Sequence, residues 1–182
     1  FTPRRIRELE PRVTEIAVRH LDTMLEKAAG GEAVDYVDEF AGKLPMDVIS
    51  ELMGVPEADR TQVRAWADGV MHRDEGVTDV PPAAVEASLN LIVYYQGMVA
   101  ERRKTLTDDL TSALLEAEIN GDRLTDDEIL GFMFLMVIAG NETTTKLLAN
   151  ALYWGWRNPD ELAKVLADPA AGARLKFGEP FF

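Results

Sequence analysis

Six consecutive residues, Ala139-Gly140-Asn141-Glu142-Thr143-Thr144, combine types that seldom meet: two small residues, an amide, a carboxylate and two alcohols. Thr145 and Lys146 extend the polar run. A carboxylate beside a hydroxyl can take a proton from one side and hand it on at the other, which is acid–base relay chemistry. The two small residues ahead of them let something flat come close to the backbone. β-branched alcohols are poor helix formers, and a buried carboxylate is costly without partners. The run therefore marks either a site of chemistry or a solvated notch or polar contact between helices, and periodicity leaves both open.

The element that must carry the run can be read on either side of it. Thr125 and Glu128 have capping-box spacing, in which each side chain satisfies the other residue's backbone N–H. Neither proline nor a turn dipeptide interrupts residues 126–156, and Asn158-Pro159 punctuates the far end. The spacing predicts one helix over 126–156, about 48 Å long at the usual rise. Residues 129–139 and 147–156 are apolar nearly all round, the mark of a helix buried in a large core. Each half is about a dozen residues, short of the ~20 that a bilayer needs, so a membrane span is rejected. At about 100° per residue, Phe132, Leu135, Met136, Ala139 and Thr143 share one stripe, with Gly140 and Glu142 on its flanks. Thr143 can bond back to the carbonyl of Ala139, which predicts a local bulge near Asn141.

The rest of the chain reads as helices and turns. Pro3 opens an amphipathic helix through Lys27, with Thr2 as its cap and His20 as a satisfied core histidine on its apolar stripe. Residues 33–37 alternate and suggest an edge strand. Residues 40–53 form a helix that Pro45 either kinks or truly starts, stopped by Gly54-Val55-Pro56. Residues 59–72 form a helix with Val63, Trp66, Ala67, Val70 and Met71 inward. A charged loop over 73–82 follows, then a helix over 83–104 whose Arg102-Arg103-Lys104 suit a C-terminus. Asp108-Asp109 begin a helix through Glu118, Asn120-Gly121 turns the chain, and 159–166 form a short last helix.

Composition narrows the function. The 182 residues suffice for one sizeable core, burying around 70% of the unfolded surface. A net charge of −13 argues against nucleic acid as a partner, because phosphates need a basic face. Zero cysteines exclude disulfides, thiolate chemistry and cysteine ligands within the sequence. His20 and His72 are too far apart in sequence to suggest a histidine metal site. The chain opens at Phe1 rather than methionine, so the lack of a targeting segment there carries no argument.

The run at 139–144 resembles the oxygen-activation motif of the cytochrome P-450 family, small-Gly-x-acid-Thr-Thr/Ser in a long central helix. Its context is similar too, with Arg157-Asn158-Pro159-Asp160 downstream. Two other stretches resemble bacterial members: Phe1-Thr2-Pro3-Arg4-Arg5-Ile6, and Leu44-Pro45-Met46-Asp47-Val48-Ile49 with Leu52-Met53-Gly54-Val55-Pro56 and Asp59. The resemblance covers residues 1–169, under half of a complete member, and leaves 170–182 unassigned. The family's Glu-x-x-Arg helix, its Cys-containing iron-ligand loop and its upstream propionate-binding helix have no counterpart in the sequence.

What the resemblance implies is an all-α fold, the helical portion of the cytochrome P-450 fold built around one long buried central helix. It implies a haem-dependent monooxygenase that inserts one oxygen atom from O2 into a small apolar organic substrate. Electrons would come from a partner such as a ferredoxin and its reductase, in the cytoplasm and away from any membrane. Thr143 would hydrogen-bond the activated oxygen and Glu142 would feed it protons. Ala139, Gly140 and Thr144 would lie at the haem face, and Phe132, Leu135 and Met136 would touch substrate. By the same resemblance the 73–82 loop would be the mobile connection over the substrate entrance. Lacking the thiolate, the chain by itself is expected to be inactive. Two other readings use the same helices without iron: an all-helical ligand-binding or regulatory module, and a purely structural acidic bundle. Neither accounts for the spacing of the acid–alcohol run.

Overall fold

The computed structural model describes residues 3–73 and 75–168, so the cap at Thr2 and the tail at 170–182 lie outside the described residues. Its order is α1 (Pro3–Ala29), a π-helical turn (Val37–Ala41), α2 (Lys43–Met53), α3 (Glu57–Met71), α4 (Pro82–Lys104), α5 (Leu110–Glu116), β1 (Glu118–Ile119), β2 (Asp122–Arg123), α6 (Asp126–Arg157) and α7 (Pro159–Ala167). The fold is all-α. The two strands form only a two-residue antiparallel hairpin, turned by Asn120 and Gly121 at φ 55° and 91°. Among the described residues, no helix is long and apolar enough to cross a membrane.

The chain divides into two compact units, residues 1–145 and 146–182. In the first, the core gathers Met46, Ile49 and Met53 of α2, Val63 and Ala67 of α3, Leu91, Tyr95 and Met98 of α4, and one edge of α6. Burying each such large apolar side chain contributes about 1.5–3 kcal/mol. That edge of α6 is Ile129, Leu130, Met133 and Val137, at the three- and four-residue steps that keep one side of a helix inward. The capping box forms as its spacing predicts. Thr125 N donates to Glu128 Oε2 at 2.8 Å, and Glu128 N donates to Thr125 Oγ1 at 3.3 Å. Donation from Thr125 N, and from Thr125 Oγ1 at 2.9 Å, holds the Glu128 carboxyl below its ordinary range.

The expected strand at 33–37 is absent. Asp35 Oδ1 instead accepts from the backbone N–H groups of Val37 and Asp38, at 2.8 and 3.1 Å, and starts the π-helical turn. The helix expected from Phe40 begins at Lys43, which places Pro45 in the first turn, where a missing N–H costs nothing. Pro11, by contrast, lies inside α1. On α1's apolar stripe only Ile16 is fully buried, and Leu25 is 66% exposed. Ionic contacts supplement that packing: Arg12 Nη2 donates to Glu51 Oε2 at 2.7 Å, and His20 Nε2 lies 2.8 Å from Asp47 Oδ2. Met71, expected inward, is 39% exposed.

In the second unit, the second half of α6 is not enclosed as its composition suggests. Leu147 is 51% and Trp156 70% exposed. Among its described residues, the Tyr153 and Trp154 rings meet edge-on at 5.5 Å, and Leu162 of α7 occupies the space beside Gly155.

The basic end of α4 does more than cap its helix. Arg102 Nη2 donates to the carbonyl of Gly54 at 2.9 Å and its Nε donates to Asp109 Oδ2 at 2.6 Å, while Arg103 pairs with Asp126. Gly54 ends α2 in the left-handed conformation, at φ 78°, and a Cβ there would stand 2.1 Å from Asp109 Oδ2. Gly54→Ala is expected to cost about 2 kcal/mol or more in chemical denaturation, from left-handed strain and displacement of the Arg102–Asp109 pair.

Candidate functional site

The acid–alcohol run lies on α6, which remains α-helical from Asp126 to Arg157. The predicted bulge is therefore absent. Thr143 Oγ1 does donate to the carbonyl of Ala139, at 2.8 Å. A carbonyl oxygen carries two lone pairs, so it can accept the hydroxyl without giving up its helical N–H.

Within the stripe, Leu135, Ala139 and Thr143 turn away from the core, while Met136 packs against it at the stripe's margin. Val137 is fully buried, and Leu135, about 160° round the helix from it, is 63% exposed. Ala139, Thr143 and Thr144 are exposed, while Phe132 and Met136 are half-buried. The stripe thus presents an open edge, apolar over its first two turns, then small at Ala139 and hydroxylic at Thr143.

Gly140 has a different neighbour from the rest of the run. A Cβ at this position would stand 2.4 Å from Ile49 Cδ1, so the glycine makes room for the tip of a side chain on α2. Asn141 points into the protein and is 7% exposed. Its Nδ2 donates to Asp68 Oδ1 on α3 at 3.2 Å, and its Oδ1 has no hydrogen-bond partner. Glu142 is half-buried and lines a cavity of about 320 Å3 whose wall also includes Asp38, Arg64, Asp68, Asn141 and Thr145. Arg64 stands 3.6 Å from Asp68 along α3 and packs where Gly42 lacks a side chain. Burial pushes the Asp68 carboxyl above its ordinary range, Asp38 adds to that, and Arg64 and Asn141 oppose it.

Adjacent in sequence, Glu142 and Thr143 thus serve two sides of one helix, the acid on a cavity of mixed polar and apolar lining and the alcohol on the open edge. The inward members, Ile49, Asp68 and Asn141, are not evident from motif spacing. Asn141 alone left a signal, being an amide in mid-helix that is costly to bury without a partner. Asp68 and Ile49 come from other helices and left none.

The site is thus an all-helical unit with an acid and an alcohol about 100° apart on one unbroken helix, and comparison with known proteins supplies the family. The pattern of the family described as Cytochrome P-450 matches residues 83–168. The Mycobacterium tuberculosis protein designated cytochrome P-450 123 is 62% identical over 168 residues, covering 92% of this chain and 41% of that protein. Cytochrome P-450 107B1 of Saccharopolyspora erythraea is 39% identical, over 93% of this chain and 40% of its own length. Among solved structures, the cytochrome P-450 PksS of the Bacillus subtilis bacillaene polyketide synthase superposes with a TM-score of 0.83 at 34% identity, over 93% of this chain and 42% of that one. A Mycobacterium marinum cytochrome P-450 in complex with pseudoionone gives 0.82, also at 34% identity, over 94% of this chain and 42% of that one. The chain belongs to the cytochrome P-450 family. It spans about 41% of the length of its 62%-identical relative.

The contact at Gly140 yields a test. Gly140→Ala gains about 1 kcal/mol of helix propensity and loses about 1–3 kcal/mol to overpacking against Ile49. Alone it is expected to be neutral to destabilising in urea denaturation. In an Ile49→Val background, which removes Cδ1, it should become stabilising, and a double-mutant cycle reads the coupling.

Proposed function

We propose that this chain forms the oxygen-side helical unit of a haem-dependent monooxygenase, which inserts one atom of O2 into a small apolar organic substrate. The observation that carries the reading is the placement of Thr143 on the open edge of α6, one residue from Glu142 on a cavity wall shared with Asp38, Arg64 and Asp68. The open edge suits a flat macrocycle: Ala139 offers no side chain beyond Cβ, and the Thr143 hydroxyl is already turned along the helix toward the Ala139 carbonyl. When bound, haem supplies the redox chemistry that activates dioxygen. Ala139 and Thr144, with Gly140 keeping the helix close to α2, are the residues of this chain at that face. With zero cysteines, the chain does not itself supply a thiolate ligand.

The chain's own contribution is positional and protonic. Thr143, exposed and with its one O–H donated to the Ala139 carbonyl, offers lone pairs that can accept a hydrogen bond from the haem side. Glu142 can hold a proton on the cavity side and renew it from the water that cavity admits. Phe132, Leu135 and Met136 give the apolar edge to the substrate and exclude water from it. Electron delivery by a ferredoxin and its reductase, in the cytoplasm, completes the proposed reaction. An all-helical ligand-binding module without haem would use the same edge but would have no need of the acid–alcohol pair.

In the full-length haem-loaded protein, Thr143→Ala should leave the fold and haem content intact, because alanine is the better helix former. Electrons should then be consumed with peroxide released and product lost. Glu142→Gln should slow turnover, since an amide of similar size carries no transferable proton. Coupling unchanged in both variants, measured as peroxide per electron, contradicts these roles of Thr143 and Glu142. The 182-residue chain, mixed with haem and carbon monoxide, should show no thiolate-type Soret band.

A further inference from the structure

Helix α4 is apolar on two faces. One of them, with Ala84, Ala87, Leu91, Tyr95 and Met98, is buried. On the opposite face Val85, Leu89 and Val93 recur at every fourth residue, 48%, 58% and 65% exposed. Single exposed apolar residues are ordinary, but an outward face normally carries polar ones, and an apolar row along it marks an interaction surface. The next residue in the row is Gly97. Glycine weakens a helix interior, and a Cβ at 97 would meet no atom of the described residues within 4 Å. No neighbour inside the fold asks for that gap, so its use is external.

The row is complementary to itself. Val93 is the middle residue of the 23 in α4. When two copies of α4 lie antiparallel about a two-fold axis through Val93, Leu89 of each falls on Gly97 of the other. A side chain then enters the space that a missing one leaves, as a knob enters a hole. Glu86 of each copy lies toward the basic end of the other, at Arg103 and Lys104. Those cations are exposed and already pair with Asp126 and Glu101 of their own chain, so Glu86 sets direction more than affinity. A parallel pair would instead set Leu89 on Leu89, Gly97 on Gly97 and like charges together.

We propose that the outer face of α4 is the contact of a two-fold antiparallel dimer of this protein. The helix is about 33 Å long, and a face about 10 Å wide along it buries roughly 700 Å2 over both copies. A stable interface needs about 1,000 Å2, so this dimer is weak and reversible.

In the full-length haem protein, sedimentation velocity over a concentration series should show dimers that dissociate on dilution. Val93→Glu should abolish them with haem content and melting temperature unchanged, because the position is exposed. Gly97→Ala should raise the melting temperature yet weaken association about tenfold, since alanine favours the helix but fills the gap that Leu89 enters. Disulfide trapping reads the register. Val93→Cys alone should give a linked dimer, and Leu89→Cys should link to Gly97→Cys in a mixture but not to itself. A protein that stays monomeric, or dimers that survive Val93→Glu, overturn the proposal. So does a Val93→Cys thiol shielded from labelling in the monomer, which would mean that the rest of the polypeptide covers this face. Val93-dependent binding to anionic lipid vesicles without self-association overturns it as well, in favour of a membrane surface.

Discussion

Everything in the first unit depends on α6 having one buried edge. Ile129, Leu130, Met133 and Val137 close the core against α2, α3 and α4. Burial of those four side chains is worth several kcal/mol together, a large share of the net stability of any small domain. The same burial fixes the rotation of the helix about its own axis. Once that edge is in, Leu135, Ala139 and Thr143 have to face out and Asn141 has to face in, because a helix turns about 100° per residue. Chemistry on α6 is therefore positioned by apolar contacts one and two turns away from it.

The polar middle of the helix is tolerated because each residue in it meets a different environment. Ile49 reaches into the space Gly140 leaves, Asn141 is tied to Asp68, and the Thr143 hydroxyl is satisfied by its own helix. Glu142 lies on a cavity wall with other charged groups instead of in an apolar core. The supporting contacts come from α2 and α3, and α2 is in turn fixed by Arg102, which bridges its end to Asp109 at the start of α5. A change at Gly54 or Arg102 thus reaches the site through the seating of α2.

Much of this was legible before the structure. The capping box at Thr125, the uninterrupted pattern to Arg157 and the acid–alcohol spacing locate the helix and the candidate residues, because each is a local signal. Cap, turn and period are set by neighbours in sequence. The misses have two causes, local side-chain bonding that periodicity does not show and tertiary context. Residues 33–37 alternate like a strand, yet the Asp35 carboxylate captures the following N–H groups and turns the chain. The apolar residues at 147–156 read as buried, yet several are open to solvent. The partners of Gly140 and Asn141 are 91 and 73 residues away in sequence, and no spacing rule reaches them. The expected bulge at Asn141 failed because a hydroxyl can share a carbonyl without breaking the ladder.

The proposed chemistry requires that the open edge of α6, not its cavity side, faces the haem. The 182 residues hold no cysteine, and labelling is read peptide by peptide, so that the iron-ligand cysteine of the proposed full-length protein is not counted with the introduced thiols. Labelling rates of Ala139→Cys and Met133→Cys in the full-length protein, with and without haem, decide which side it is. Cysteine at 133 should stay protected in both states. Cysteine at 139 should react readily without haem and become protected when haem binds. Equal reactivity at 139 in the two states would contradict that placement.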